Sequence, residues 1–321
     1  MRSRPLKIES PLADAPVDLR PISQAGLRGA LLLLKERWDR PVFFALACVS
    51  LVALGLIIFF IFREAAPLLR EIGLIRFLSG QWTPTTDPGQ FGALPMIVGS
   101  ALVTLGALLL AVSLGYGAAA FIAEVAPGWL KDVAKSILEL LAGIPSVIYG
   151  FFGLLILAPA FQHAFSLPTG RTALTAAVLL GIMALPTIAS LAEDALTAVP
   201  NSYREASMAL GASRWQTIRR VTFPAAFSGL IGAAILGMGR AIGETMAVLM
   251  VAGNAPQLTA SFLKPVRTLT GTIALEMAET PFGSTHYHAL FGLGALLLLT
   301  TLITNGLAEG FRGRLARKHG R

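Results

Sequence analysis

The chain of 321 residues is 55% hydrophobic and only 14% charged, with a mean hydropathy of +0.69, whereas an ordinary soluble domain is about 25% charged. That balance excludes a soluble globular domain and points to an all-α, polytopic membrane protein. The net charge of +8 and pI near 10.1 would suit nucleic acid in a soluble chain. Here Lys and Arg cluster between apolar runs, as membrane topology requires, so no nucleic-acid partner is expected.

Residues 1–41 are polar and Pro-containing, and they carry no cleavable signal pattern. Within them QAGLRGALLLLKERWDR (24–40) mixes Leu with Arg, Lys and Glu. It reads equally as an interfacial helix or as a continuation of the first span. The apolar run 42–62 has the length of one transmembrane helix, about 20 residues. It holds Cys48, the only cysteine. One cysteine permits no disulfide framework and no Cys-based metal site, and the residue is expected to be a small buried hydrophobe. Residues 63–93 read as an external loop in which Trp82 and QWTPTTDPGQFG form an exposed docking segment.

Five further runs follow, at 94–123, 136–161, 172–192, 225–253 and 288–308, giving a core over 94–308 and six spans in all. Pro95, Pro145 and Pro186 lie within or beside them, where neighbouring helices can satisfy the freed carbonyls. Residues 309–321 form a basic tail. With six spans, nineteen of the 26 Lys and Arg fall on the side of both termini, six on the other, and Arg240 within the membrane. Both termini are therefore expected in the cytoplasm. Lys135 is expected to face Glu139 near that boundary.

The longest connection on the terminal side is 193–224. Ser202 and Glu205 have capping-box spacing for a first helix. Gly211 breaks it, Ser213 caps a second helix, and Pro224 marks entry to the fifth span. The segment reads as helix, turn, helix.

In the fifth span, Arg240 and Glu244 are the only charges between Pro224 and Asn254. Arg240 near the midpoint costs about 2.5–3.5 kcal/mol on insertion scales and is too deep to snorkel. On an unbroken helix Glu244 lies one turn away on the same face. Gly239 and Gly243 have a spacing that admits another helix. Two readings stand. Either the pair closes on itself as a helix staple, or Arg240 lines an aqueous pathway and meets an anion, with Glu244 restraining it and Thr245 adding a hydroxyl. A planar guanidinium suits a tetrahedral oxyanion. Ser100, Thr104, Ser146 and Tyr149 are weaker polar candidates, since membrane Ser and Thr commonly bond their own helix. His286 and His288 read as solvated loop residues rather than metal ligands. No Gly-Lys dipeptide occurs, so a Walker A loop is absent.

Glu205-Ala206-Ser207, Gly211, Val221 and Phe223-Pro224 resemble the EAA loop of ABC importer permeases, with Ser, Val and Phe replacing Ala, Ile and Leu. FGALPMIVGSALVTLGALLLAVSLGYGAAAFIAEVAP (91–127), LAGIPSVIYGFFGL (141–154) and GRAIGETMAVLMVAGN (239–254) resemble the phosphate-specific ABC permeases, PstC-type. The resemblance implies a type I ABC importer permease fold in a bacterial inner membrane. It implies a second permease, two ATPase subunits, an external phosphate-binding protein, and inorganic phosphate as cargo. Glu205, Ala206, Gly211 and Pro224 would belong to the ATPase-coupling loop, and Arg240 and Glu244 to the phosphate path. No cofactor is expected on this chain, because ATP and its magnesium would sit on the partner, and no catalysis by the chain itself. A permease for molybdate, sulfate or phosphonate, an ion-coupled secondary transporter and a non-transporting scaffold are the competing readings.

Overall fold

The computed structural model describes residues 23–319. The chain divides into two compact units, Met1–Phe59 and Phe60–Arg321. The described part of the first unit is the opening stretch of α1, a helix running without a break from Ser23 to Glu71. Residues 24–40 therefore continue the first span, and the expected loop at 63–93 begins as helix. Within 41–59 apolar side chains such as Phe43, Phe44 and Leu51 are exposed, as a lipid-facing helix requires. Cys48 is partly exposed rather than buried.

In the second unit the order is α2 (Leu74–Ser79), a hairpin of β1 (Trp82–Thr83) and β2 (Gln90–Phe91), α3 (Leu94–Ala120), α4 (Gly128–Ala142), α5 (Ser146–Phe152), α6 (Ala158–Ala164), α7 (Ala173–Thr197), α8 (Asn201–Ala209), α9 (Arg214–Thr217), α10 (Phe223–Ala225), α11 (Phe227–Gly243), α12 (Met246–Val251), α13 (Leu269–Glu276) and α14 (Thr285–His319). Single π-turns extend α3 to Val125, join α5 to α6, and join α9 to α10. Among the described residues five helices are long and apolar enough to cross a membrane, or six if α9–α10 and α11, bent by 71° at Ala226, count as one span.

The centre of the unit is α3 packed along α7. Gly99, Val103, Ala107, Ala111, Gly115 and Ala119 recur every fourth residue on α3 and are buried. Small residues at this spacing let helix axes approach closely where no hydrophobic effect drives them together. A Cβ on Gly115 would lie 3.0 Å from Ile188 Cγ2. On α11 it is Gly237, also against Ile188, that packs; Gly239 and Gly243 face open space within this chain.

Two expected spans are broken. The 136–161 run splits at Gly143-Ile144-Pro145 into α4 and the α5–α6 segment. Pro145 lacks an N–H, and the residue before a proline avoids helical backbone. The 225–253 run splits at Glu244–Thr245, where Glu244 is extended (φ −68°, ψ 126°).

At the end of the bundle bearing the hairpin, Trp82 is only 1% exposed. Its Nε1 donates to Glu276 Oε2 at 2.9 Å, and its ring meets Phe91 and His286 edge-on. The sequence expectation of an exposed Trp82 is thus corrected: the indole packs inward, and Thr85 to Pro88 form the exposed tip. The two histidines are corrected likewise. His286 contacts Glu276 Oε2 at 2.8 Å and His288 contacts the Glu64 carbonyl at 2.7 Å, both from the first turn of α14. Glu276 also pairs with Arg267.

Candidate functional site

Arg240 occupies the last turn of α11. Its Nη1 donates to Thr187 Oγ1 at 3.0 Å and its Nη2 to the Ala142 carbonyl at 3.4 Å. Thr187 lies beside Pro186 on α7, ten residues from Thr197 and fourteen from Ala173. At 1.5 Å per residue, that is roughly 15 Å and 21 Å from the two helix ends. Arg240 is therefore held deep within the bundle. The Ala142 carbonyl is one of the groups left open at the end of α4; its neighbour, the Leu141 carbonyl, accepts the Tyr149 hydroxyl at 2.9 Å. The α4–α5 break thus supplies an acceptor for the arginine.

Glu244 is not the partner of Arg240. No carboxylate among the described residues lies within 4.0 Å of the guanidinium. One-turn proximity presumes helical backbone through Glu244, and the chain leaves the helix there. Glu244 Oε1 instead accepts from Ala247 N at 3.2 Å, capping α12, while its carbonyl accepts from Thr270 Oγ1 at 3.1 Å. The Thr245 hydroxyl donates to the Gly243 carbonyl at 3.2 Å. The staple reading of the pair fails: the acceptors that Arg240 meets are a neutral hydroxyl and a carbonyl.

Ser100 accepts from Leu269 N at 2.9 Å and so joins α3 to the start of α13. Among the described residues no group of His, Cys, Asp and Glu is placed to hold a metal ion.

The 193–224 segment is more firmly attached than sequence suggested. Glu193 is still within α7 and 2% exposed. Lys131 and Lys135 of α4 reach it at 2.8 and 3.1 Å, and Lys135 also meets Asp194 at 2.8 Å. Lys135 therefore turns to α7, not to the exposed Glu139. Its ammonium is held well above the usual lysine range, chiefly by the hydrogen bond to Asp194 and then by that to Glu193. Arg204 of α8 pairs with Glu124 at 2.8 Å and donates to the carbonyls of Leu196 and Val199. It closes the open end of α7 and ties it to the π-turn after α3.

Beyond that anchor the loop is open. Glu205 and Ala206 are exposed on α8, and Pro224 on α10. Helix α8 starts after Pro200 with no side-chain cap, so the expected Ser202 box is absent. The Ser213–Gln216 box at α9 is complete. Gly211 has φ +84°, a backbone that an L side chain strains. Ala206, Ser207, Leu210, Gly211, Gln216 and Arg220 line a groove of about 600 Å³, and Leu210 is 90% exposed at its edge.

Sequence reasoning missed Thr187, Thr270 and the Lys131–Lys135–Glu193 cluster. Pro186 was the available signal for the first, since a proline inside a membrane helix marks a place where polar groups need partners.

The family profile described as "Binding-protein-dependent transport system inner membrane component" matches residues 111–318. "Probable ABC transporter permease protein YqgH" of Bacillus subtilis is 44% identical over 237 residues, covering 74% of this chain and 77% of that protein. "Phosphate transport system permease protein PstC" of Mesorhizobium japonicum is 35% identical over 295 residues, 86% and 89% of the two chains. The protein of the same name from Haemophilus influenzae is 36% identical over 256 residues, 73% and 80%. Among solved structures, a chain of the MetNI methionine ABC transporter superposes with a TM-score of 0.55 at 21% identity, covering 72% of this chain and 99% of that one, a likeness of fold.

Proposed function

This chain belongs to the binding-protein-dependent transport system inner membrane components, and we propose that within that family it is a permease subunit of an ATP-driven phosphate importer. The observation that carries the reading is Arg240, an arginine at mid-helix depth that is oriented by a hydroxyl and a carbonyl and, among the described residues, paired with no carboxylate. Holding a cation at membrane depth costs free energy unless something compensates it. A passing oxyanion would supply that compensation. Neutral acceptors leave the charge available, and a weak resting hold lets the anion leave again. The likeness to permeases named for phosphate transport supports the choice of anion.

In this reading the pathway passes the Glu244–Thr245 break. Glu244 and Thr245 shape the unwound stretch beside Arg240, and Glu244 does so by capping α12. Ala206 and Gly211 line the groove, Glu205 and Pro224 are exposed on the same segment, and together they would meet an ATPase subunit, which carries ATP and its magnesium. A second permease completes the path, two ATPases close beneath it, and a phosphate-binding protein delivers cargo outside. The chain would cross a bacterial inner membrane six times, with the bent α9–α11 segment as the fifth crossing and both termini in the cytoplasm. It would bind no cofactor and catalyse no reaction itself. One observation favours keeping the cargo open to other oxyanions: the 44% identical relative bears no substrate in its name.

The test is ATP-dependent phosphate uptake in proteoliposomes holding the full assembly. Arg240→Gln is expected to lower uptake at least about 100-fold, the range that loss of one preorganised electrostatic contact to an oxyanion produces, with assembly intact. Persistent uptake would remove Arg240 from the path. Uptake of molybdate or sulfate in preference to phosphate would reassign the cargo.

A further inference from the structure

We propose that Thr187 is a positioning residue for Arg240: its hydroxyl aims the guanidinium across the α4–α5 break without neutralising it. The inference rests on the anion-path reading above. Three elements meet at this point. Arg240 comes from the last turn of α11, Thr187 from mid-α7, and the Ala142 carbonyl from the end of α4. A carboxylate at position 187 would hold the arginine more tightly and cancel its charge. A valine would fill the same space and hold nothing. Here the neutral hydroxyl accepts one N–H, from Nη1, and leaves the charge of the guanidinium uncancelled.

The other acceptor cannot do this alone. The Ala142 carbonyl receives Nη2 at 3.4 Å, against 3.0 Å for Thr187, and it sits where the backbone is about to leave the helix. Thr187 by contrast stands on the helix that packs along α3 and α11. The same helix is tied to α4 through Lys131, Lys135 and Glu193, and to α8 through Arg204. The hydroxyl thus makes the shorter contact of the clasp, from the middle of a packed helix rather than from a helix end. A displacement of α7 relative to α11 changes the distance from the acceptor to the arginine.

The experiment is uptake by the reconstituted assembly carrying Thr187→Val, Thr187→Ser, Arg240→Gln, and Thr187→Val with Arg240→Gln. Thr187→Val is expected to lower the maximal rate about tenfold, the loss of one hydrogen bond to a charged group. The half-saturating phosphate concentration stays unmoved, because the external binding protein sets it. Thr187→Ser restores the rate to within about twofold, since it keeps the hydroxyl. In the Arg240→Gln background Thr187→Val adds nothing, as residues acting through one contact are not additive. A maximal rate unchanged by Thr187→Val, failure of Ser to rescue, or an equal further loss in the double variant overturns the proposal. If the wild-type assembly moves no phosphate, or Arg240→Gln transports normally, the anion-path reading fails. The clasp is then decided by thermal unfolding of the wild-type assembly and the same four variants. Thr187→Val must lower the melting temperature in the Arg240 background only, and an equal drop in both backgrounds overturns it.

Discussion

Arg240 and Glu244 are neighbours in sequence whose fates differ because Arg240 keeps helical backbone and Glu244, just past the end of α11, does not. Their presence in an apolar run was legible, and so was the need for a partner. Which partner was not, because the partners are a hydroxyl 53 residues away and a carbonyl 98 residues away, and a backbone carbonyl leaves no mark in a sequence. Gly211 was read correctly from the pattern alone, since a helix that must stop in a tight turn calls for positive φ. A Cβ there would meet nothing within 4 Å, so the cost of substitution is backbone strain only. Gly211→Ala is expected to destabilise the turn by about 1–2 kcal/mol and to weaken ATPase binding to the assembly, while leaving membrane insertion unchanged. A pull-down of the ATPase subunit from detergent-solubilised membranes checks this; an undiminished yield would show that the turn does not form part of that contact.

At the scale of the element, α4 is the main departure from expectation. Hydropathy assigned its second half to a span, and Pro145 alone marked the break. The helix instead lies against α7 and is clamped there by Lys131 and Lys135 on Glu193 and Asp194. Lys135 is 38% exposed, so solvent screens much of its pairing. Lys135→Met is expected to cost about 1 kcal/mol. Replacing Lys131 as well strands a buried carboxylate with only Thr197 beside it and costs about 3–5 kcal/mol, more than the two single changes together. Thermal unfolding of the purified assembly measures both. The pH dependence follows from the raised lysine. A cation whose folded value lies above its ordinary 10.5 contributes fully below that pH and loses its contribution only as pH climbs through the folded value. The clamp is therefore expected to be constant from about pH 6 to 9, and a clamp that weakened within that window would contradict the Lys135 assignment. The Ser213 cap was readable because a capping box is local; Ser202 failed because Pro200 already opens α8.

Across the whole second unit, two ends are organised differently around one pair of packed helices. Near the loop, ion pairs fasten α3, α4, α7 and α8 to one another. At the opposite end an apolar layer under the hairpin does so, with Trp82, Phe77, Met96, Leu290 and Leu293 buried and Glu276 gathering Trp82, Arg267 and His286. The order of apolar runs made the architecture legible. The inward turn of Trp82 was hidden by its setting, because a Pro- and Gly-rich stretch reads as surface whether or not its aromatic residue folds back. Trp82→Ala is expected to destabilise this end by about 3–5 kcal/mol, seen as loss of protection from limited proteolysis at residues 80–92. The 193–224 segment should stay as resistant as before, being anchored separately.

The chain order of the arginine clasp has a consequence for biosynthesis. Ala142 and Thr187 both precede Arg240 in the sequence, so a ribosome delivers the acceptors before the charge. When nascent α11 reaches the membrane, α4 and α7 can already stand beside it. The penalty of placing a guanidinium in lipid, about 2.5–3.5 kcal/mol, is then met at the moment of integration rather than afterwards. A circularly permuted gene that made α11 first would have to expose that charge to the bilayer alone.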